Sequence, residues 1–494
     1  MAQMYRNLEL HDVQRIIVQG FPKREFSRWA LLNVEDPARA KLWLKSVEPH
    51  IGRAHRDGRR DEPVDQQRFA IAFTRAGLEA LGLPGDETKG FGNAFSHGMR
   101  NRPQILGDVG DSARDHWHWG GEEDVHILVI SYAEKPADLN IWQIVNEEDS
   151  GLTEIYVIDS EMLEGGTDHF GFRDGISQPY IDGIDTTAAR TLGSRFDNRV
   201  RTGEFILGYP NEGAHFADCP SVPEALDQND NLLPFDMSSD RRSLGHNGSY
   251  LVLRQLEQLV DRFNELVEQF GAGDPELFKA KLIGRWPSGA PLVLAPNDDN
   301  NNLARANDFG YHATDRWGYR CPLGAHIRRA NPRDALANLD QGQSAEAAVK
   351  SVNTRRLIRR GRPYEITDNN NVIEQGLMFA CINASIDQQF EFVQQRWING
   401  TSFSGLQAEV DPLVGMPQDD STGIFTIHRP GANRTLEGLE PLVRVRGGSY
   451  FFLPSLRAVR FLIALPNPPG ADATDANQGS SSVLPSSSLN NDNV

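Results

Sequence analysis

The sequence predicts an α+β fold made of two ferredoxin-like β-α-β-β-α-β units in tandem. Three observations carry this. Strand-like and helix-like stretches follow one another in the same order in both halves of the 494-residue chain. Gln67 to Thr74 places Phe69, Ile71 and Phe73 on one face, the period of a strand. The stretch after Arg254 sets Leu256, Leu259, Val260, Phe263, Leu266, Val267 and Phe270 on one stripe, the period of an amphipathic helix.

In the first half, Glu25 to Val34 (EFSRWALLNV) predicts a strand and Asp36 to Val47 a helix. Gln67 to Thr74 (QRFAIAFT) is the second strand. Asp124 to Tyr132 (DVHILVISY) is a continuous apolar run, as expected of a strand buried on both faces. A long Gly- and Asn-rich insertion with a short helix separates these two strands. A helix over Pro136 to Asn146 and a strand over Thr153 to Ser160 complete the unit.

The second half repeats the order. Gly248 to Arg254 (GSYLVLR) is a strand, followed by the amphipathic helix that ends at Phe270. Strands are predicted at Leu323 to Arg329 and at Gly376 to Asn383 (GLMFACIN), a helix over Ile386 to Trp397, and a last strand at Ser449 to Pro454. Two sheets, each with helices on one face, are expected. Pro, Gly and Asn accumulate between Tyr209 and Pro234, which divides the chain into units 1–215 and 216–465. The remaining 466–494 has no Lys or Arg, is rich in Ser and Asn, and predicts a disordered tail.

Composition narrows the function classes. A formal net charge of -18 gives no electrostatic attraction to nucleic acid or anionic membrane. Solubility accounts for much of that charge; cations and neutral organic molecules suit the surface better. Three cysteines, Cys219, Cys321 and Cys381, form no paired spacing, so neither a disulfide framework nor a thiolate metal site is expected. The N-terminal stretch lacks a basic region followed by an apolar core, and no apolar run reaches the roughly 18 residues of a membrane span. A cytoplasmic protein is the default expectation, with non-classical export as the alternative.

Gly166 to Pro179 (GTDHFGFRDGISQP) carries the first chemical signal. Asp174 stands in a G-x-x-D-G pattern, where glycines permit tight turns and close approach to a ligand. Such a pattern arises by chance about 0.3 times in a chain of this length at average residue usage, so an ordinary Asp-Gly turn is the alternative. His116-Trp117-His118 could be a metal pair, but no third ligand is evident and it is set aside.

In that context the chain resembles the dye-decolorising peroxidase family, whose signature is a GxxDG segment. The resemblance runs through GEFILGYPNE (203–212), NGSYLVLRQLEQ (247–258), GRWPSGAPL (284–292), CPLGAHIRRANPR (321–333) and YFFLPS (450–455). It implies one haem b per chain and H2O2-dependent oxidation of dyes, phenolics and similar small reductants through a ferryl intermediate. It also implies roles. His326, otherwise readable as a core histidine, matches the iron ligand, and an acidic partner on its other nitrogen would increase its donor strength. Asp411, in a DP-x-V-G segment, is the candidate partner, with a turn-capping Asp as the alternative. Asp174 matches the distal acid–base and Arg359 the distal cation. Arg360 is the confounder, although strand alternation sends neighbouring side chains to opposite faces. Leu377 and Phe379 match apolar positions of the distal pocket. Trp397 and Tyr364 match sites that relay electrons to donors too large for the pocket; Ile386, Phe390, Val393 and Trp397 also fit a plain core stripe.

Two departures concern loops. Glu365 and Ile366 follow the Pro-Tyr pair where the family has Gly, and the segment between His326 and Arg359 is consistent with an insertion. Two other functions stay open at this point, oxidation of Mn2+ and non-catalytic haem carriage or sensing; the latter has no use for a distal Asp–Arg pair.

Overall fold

The computed structural model describes residues 8–468, apart from 56–67, 140–149, 185–197, 229–230, 237–238, 272, 339–341, 370 and 417–422. The first unit forms where its periodicities place it. β1 (Phe26–Val34), β2 (Phe69–Phe73), β3 (Ile127–Ala133) and β4 (Leu152–Glu161) assemble in the order β4-β1-β3-β2, with every neighbouring pair antiparallel. β3 thus lies between β1 and β2, the split β-α-β arrangement. Along β1, Ala30 and Leu32 enter one core and Trp29 and Leu31 the other. Burial on both faces is why 124–132 shows no polar alternation. Helix α1 (Pro37–Val47) starts with Pro at its first turn, and Asp36 accepts from the backbone N–H of Ala38 and Arg39. Of the helix expected over Pro136 to Asn146, 136–139 makes one tight turn and the remainder lies outside the described residues.

The second unit contains β5 (Ser249–Gln258), β6 (Ile358–Arg359), β7 (Arg362–Asp368), β8 (Asn371–Asn383) and β9 (Val443–Leu453). The order is β6-β8-β5-β9, with β7 also paired to β8, all antiparallel. The arrangement of the first unit returns, with β6 and β7 together as the second strand.

Three expectations are corrected. Leu323 to Arg329 is not a strand: His326–Ala330 forms a short helix, α2, and the strand's place is taken by 358–368. Short apolar stretches do not distinguish strand from helix. Here the neighbours Arg328 and Arg329 are both buried, and each guanidinium finds carbonyl acceptors on its own side, Cys321 and Asp315 for one, Trp397, Gly400 and Glu409 for the other. Leu256 belongs to β5 rather than to the amphipathic helix, which runs Val260–Phe270 (α3). Finally, the two sheets are one. The pair Phe73↔Phe452 joins β2 to β9, closing two edges that would otherwise expose unpaired backbone groups. The cores follow suit: Leu32, Phe69 and Ile71 of the first unit share a cluster with Tyr250, Val252 and Phe452 of the second.

The helix expected over Ile386 to Trp397 forms at Asp387–Glu391 and Val393–Ile398 with wide turns, in which Glu391 N–H reaches Ile386 O and Asn399 N–H reaches Gln394 O. Residues 469–494 of the predicted tail lie outside the described residues. Among the described residues, no helix is long and apolar enough to cross a membrane.

Candidate active site

The GxxDG segment is a tight loop held from several sides. Gly171 and Gly175 both take positive φ, 86° and 76°. Asp168 closes the turn: its backbone N–H donates to Phe172 O at 2.9 Å, and its Oδ1 accepts from Phe172 N at 2.9 Å. Phe170 packs against Phe263 of α3 with ring centroids 4.7 Å apart, so the loop is fastened to the second unit. Gln178 completes the fastening, for its amide donates to Arg359 O at 3.1 Å and accepts from Arg359 N at 3.0 Å. Asp174 is thereby brought to β6, where Arg359 Nη1 donates to its Oδ1 at 2.6 Å. Arg360, one residue on, points away and donates to the carbonyls of Ile16, Ile17 and Val18. Burial alone would raise the Asp174 carboxyl, but Arg359, the Gly175 N–H and His326 outweigh it and hold it below the ordinary carboxylate value.

His326 is the first residue of α2. Its Nδ1 lies 3.0 Å from Asp411 Oδ2, while Asp411 Oδ1 accepts from the backbone N–H of Leu413 and Val414, each at 2.9 Å. The two alternatives for Asp411 are therefore both realised, one on each oxygen. With Nδ1 engaged, Nε2 is the nitrogen left to ligate. Burial lowers the imidazole, but the Asp411 carboxylate more than compensates and raises it above its ordinary value.

Asp174, Arg359, His326, Leu377 and Phe379 line one cavity, with Leu256, Trp286 and Phe390 among its apolar walls. Its polar residues fit a flat dicarboxylate cofactor that needs one nitrogen ligand. Arg285, Arg333 and Arg356 line the same cavity, are buried, and have no carboxylate at ion-pair distance among the described residues. Burial first, then repulsion from Arg333 and Arg359, pushes Arg356 down to about 9; the same causes bring Arg285 to about 10. A guanidinium stays charged at working pH, so the cavity wall carries buried cations that haem propionates would neutralise.

Of the predicted residues, Asp411 meets the cavity only through His326, and Trp397 and Tyr364 do not line it. Trp397 is the last residue but one of its helical segment and is only 7% exposed, in a cluster with Val352, Val393 and Phe403, and it meets Phe392 edge-on at 5.5 Å. Tyr364 is 1% exposed and its hydroxyl donates to Glu374 Oε1. Sequence reasoning missed Gln178 and the three buried arginines. Gln178 stands three residues after the GxxDG pattern, and Arg285 and Arg333 stand in GRWPSGAPL and GAHIRRANPR, so their residue types were visible while their partners were not.

A carboxylate-backed imidazole and an Asp–Arg pair sharing an apolar, cation-rimmed cavity define the class, a haem peroxidase. Comparison with known proteins gives the family. The chain is 30% identical over 433 residues to "Peroxidase 2" of Mycetinis scorodonius, covering 79% of this chain and 75% of that one. It is 29% identical over 511 residues to "Dye-decolorizing peroxidase msp1" of the same organism, covering 94% and 89%. The crystal structure of a fungal DyP-type peroxidase from Auricularia auricula-judae superposes with a TM-score of 0.73 at 25% identity, over 92% of this chain and 99% of the other. No protein-family model matches. The chain belongs to the dye-decolorising peroxidase family.

Proposed function

We propose that the protein holds one haem b per chain on His326 and uses H2O2 to oxidise dyes, phenolics and similar small reductants. The observation that carries this is the pairing of His326 with Asp411 and of Asp174 with Arg359 around a single apolar cavity. The haem, when bound, supplies the iron centre at which peroxide is reduced and the oxidising equivalents are stored. His326 Nε2 would ligate the iron, and Asp411 would keep the ring oriented and electron-rich. Asp174, ionised, takes the proton from one peroxide oxygen and delivers it to the other, which leaves as water. Arg359 keeps Asp174 ionised and sets positive charge where the breaking O–O bond becomes negative. Leu377 and Phe379 exclude water from that step. Trp397 and Tyr364 serve as relays for donors too large to enter. Organic reductants are the substrates of this proposal; among the described residues no group of three or more His, Cys, Asp or Glu stands together to hold Mn2+.

His326→Ala tests the ligand. Without the imidazole ligand only apolar contacts and propionate pairing would hold the haem, so the purified variant should carry little of it. Normal haem occupancy with an unchanged ferric spectrum would overturn the assignment.

A further inference from the structure

Tyr364 lies on the sheet face turned away from the cavity. Along β8, Leu377 and Phe379 line the cavity, whereas Met378 and Ala380 join Tyr364 in the second core. The phenol is nevertheless close to the cavity wall in the chain: Tyr364 pairs with Gly376, the neighbour of Leu377. Its hydroxyl donates to Glu374 Oε1 at 2.6 Å. The other oxygen of that carboxylate lies 2.8 Å from His118 Nε2, and the His118 side chain is 36% exposed. An unbroken line of hydrogen bonds therefore leads from a buried phenol through a carboxylate to an imidazole at the surface.

The groups around Glu374 favour its ionised form. Gln255 Nε2 donates to Oε1 at 3.1 Å, and Arg446 approaches Oε2 at 3.8 Å while pairing with Glu257 at 2.7 Å. Burial alone would raise this carboxyl, but His118 and Tyr364 outweigh it and keep it below the ordinary value, so a proton acceptor is in place. The nearby phenol of Tyr156 provides a contrast. Its ring stacks on His118 at 6.1 Å, but its hydroxyl accepts from the Gln255 amide at 3.3 Å, a donor that cannot take its proton.

A phenol that loses an electron becomes a strong acid. In a low-dielectric interior the resulting charge is costly unless a base takes the proton in the same step. We propose that Glu374 and His118 form the proton exit that makes Tyr364 a proton-coupled redox site. Tyr364 gives one electron to the peroxide-oxidised haem and its hydroxyl proton to Glu374, leaving a neutral phenoxyl. His118 exchanges that proton with solvent. A dye or phenolic reductant then supplies one electron, and a proton returns along the same line to restore the phenol. Glu374 and His118 are positioning residues for this step. The inference rests on the haem peroxidase reading and adds to it the means by which a fully buried tyrosine can be oxidised reversibly.

The test uses haem-loaded protein mixed with H2O2 and frozen for electron paramagnetic resonance, with the tyrosyl signal divided by the haem oxidised in the same sample. Wild type should show a signal that Tyr364→Phe removes. Glu374→Gln keeps a hydrogen-bond acceptor but no base, and the yield per oxidised haem should fall at least about tenfold; Glu374→Asp should recover part of it. In wild type the signal should rise more slowly in D2O than in H2O. Wild-type yield in Glu374→Gln, a signal that survives Tyr364→Phe, or identical rise in both solvents would overturn the proposal. If Glu374→Gln fails to load haem, the solvent comparison decides. A wild-type Soret band indifferent to peroxide would instead overturn the peroxidase reading, and this inference with it.

Discussion

Asp174 stands between two opposed influences, burial that favours the neutral acid and the Arg359 guanidinium that favours the anion, and the anion wins. The sign of the pH dependence follows. A carboxyl whose folded value is depressed stays ionised as pH falls through the ordinary value near 3.9, and is lost only below it. The rate of haem oxidation by peroxide should therefore hold level from neutral pH to about 4 and drop on further acidification. Arg359→Leu removes the largest lowering influence, so the acid limb should move upward and the rate at neutral pH should fall. Asp174→Asn retains the shape but cannot relay a proton, and stopped-flow traces should show haem oxidation slowed by about 10²–10⁴-fold. Wild-type rates in that variant would remove Asp174 from the mechanism.

The loop that presents Asp174 depends on backbone conformations that few residues adopt. A Cβ placed on Gly175 would meet nothing within 4 Å, so the cost of Gly175→Ala is conformational alone. At φ 76° that cost is about 1–2 kcal/mol. Thermal melting should show a destabilisation of this size, with the Asp174–Arg359 contact loosened and haem oxidation slowed; an unchanged melt and rate would mean the loop relaxes freely. The wide-turned segment that carries Trp397 poses the complementary question. Its indole is buried against Phe392 and Val393, and Trp397→Phe preserves much of that packing where Trp→Ala would cost roughly 3–5 kcal/mol. Turnover of a bulky dye should fall steeply in Trp397→Phe while a small donor that enters the cavity is spared. Equal losses for both donors would make Trp397 a packing residue.

Across the whole molecule, the cavity joins parts of the chain that the sheet alone brings together. Arg285, Arg333 and Arg356 converge there with no ion pair among the described residues, although Asp334 and Asp308 act on Arg333 from a greater distance, so the cavity wall is rich in buried positive charge. Haem should therefore stabilise the fold strongly: at a free concentration 100 times its dissociation constant, binding adds about 2.7 kcal/mol. Arg356→Met separates the two states. Removing one of several mutually repelling cations should leave the apoprotein melt unchanged or raised, yet weaken haem binding by about tenfold or more. A lower melting temperature for the apoprotein with unaltered haem affinity would show that Arg356 serves Asn198 and Ser177, which it contacts, rather than the cofactor.

Most strands and helices, the two-fold repetition of the unit and the residue types of the Asp174, His326 and Arg359 cluster were legible in the amino-acid sequence, because periodicity and turn chemistry act between residues a few positions apart; the second strand of the second unit was not. The same holds for Arg359 against Arg360, which strand alternation separates. Other features depend on neighbours far along the chain. Asp174 meets Arg359 across 185 positions and His326 meets Asp411 across 85. The edge pairing of Phe73 with Phe452 makes one sheet of two, and the carbonyls that accept from Arg328 and Arg329 turn a presumed strand into a helix. The burial of Trp397, the Gln178 clamp and the line from Tyr364 through Glu374 to His118 belong with these. A local pattern states which face of an element is apolar. What that face meets, and so which polar side chains find partners, is set by how the elements pack, and only the tertiary structure decides it.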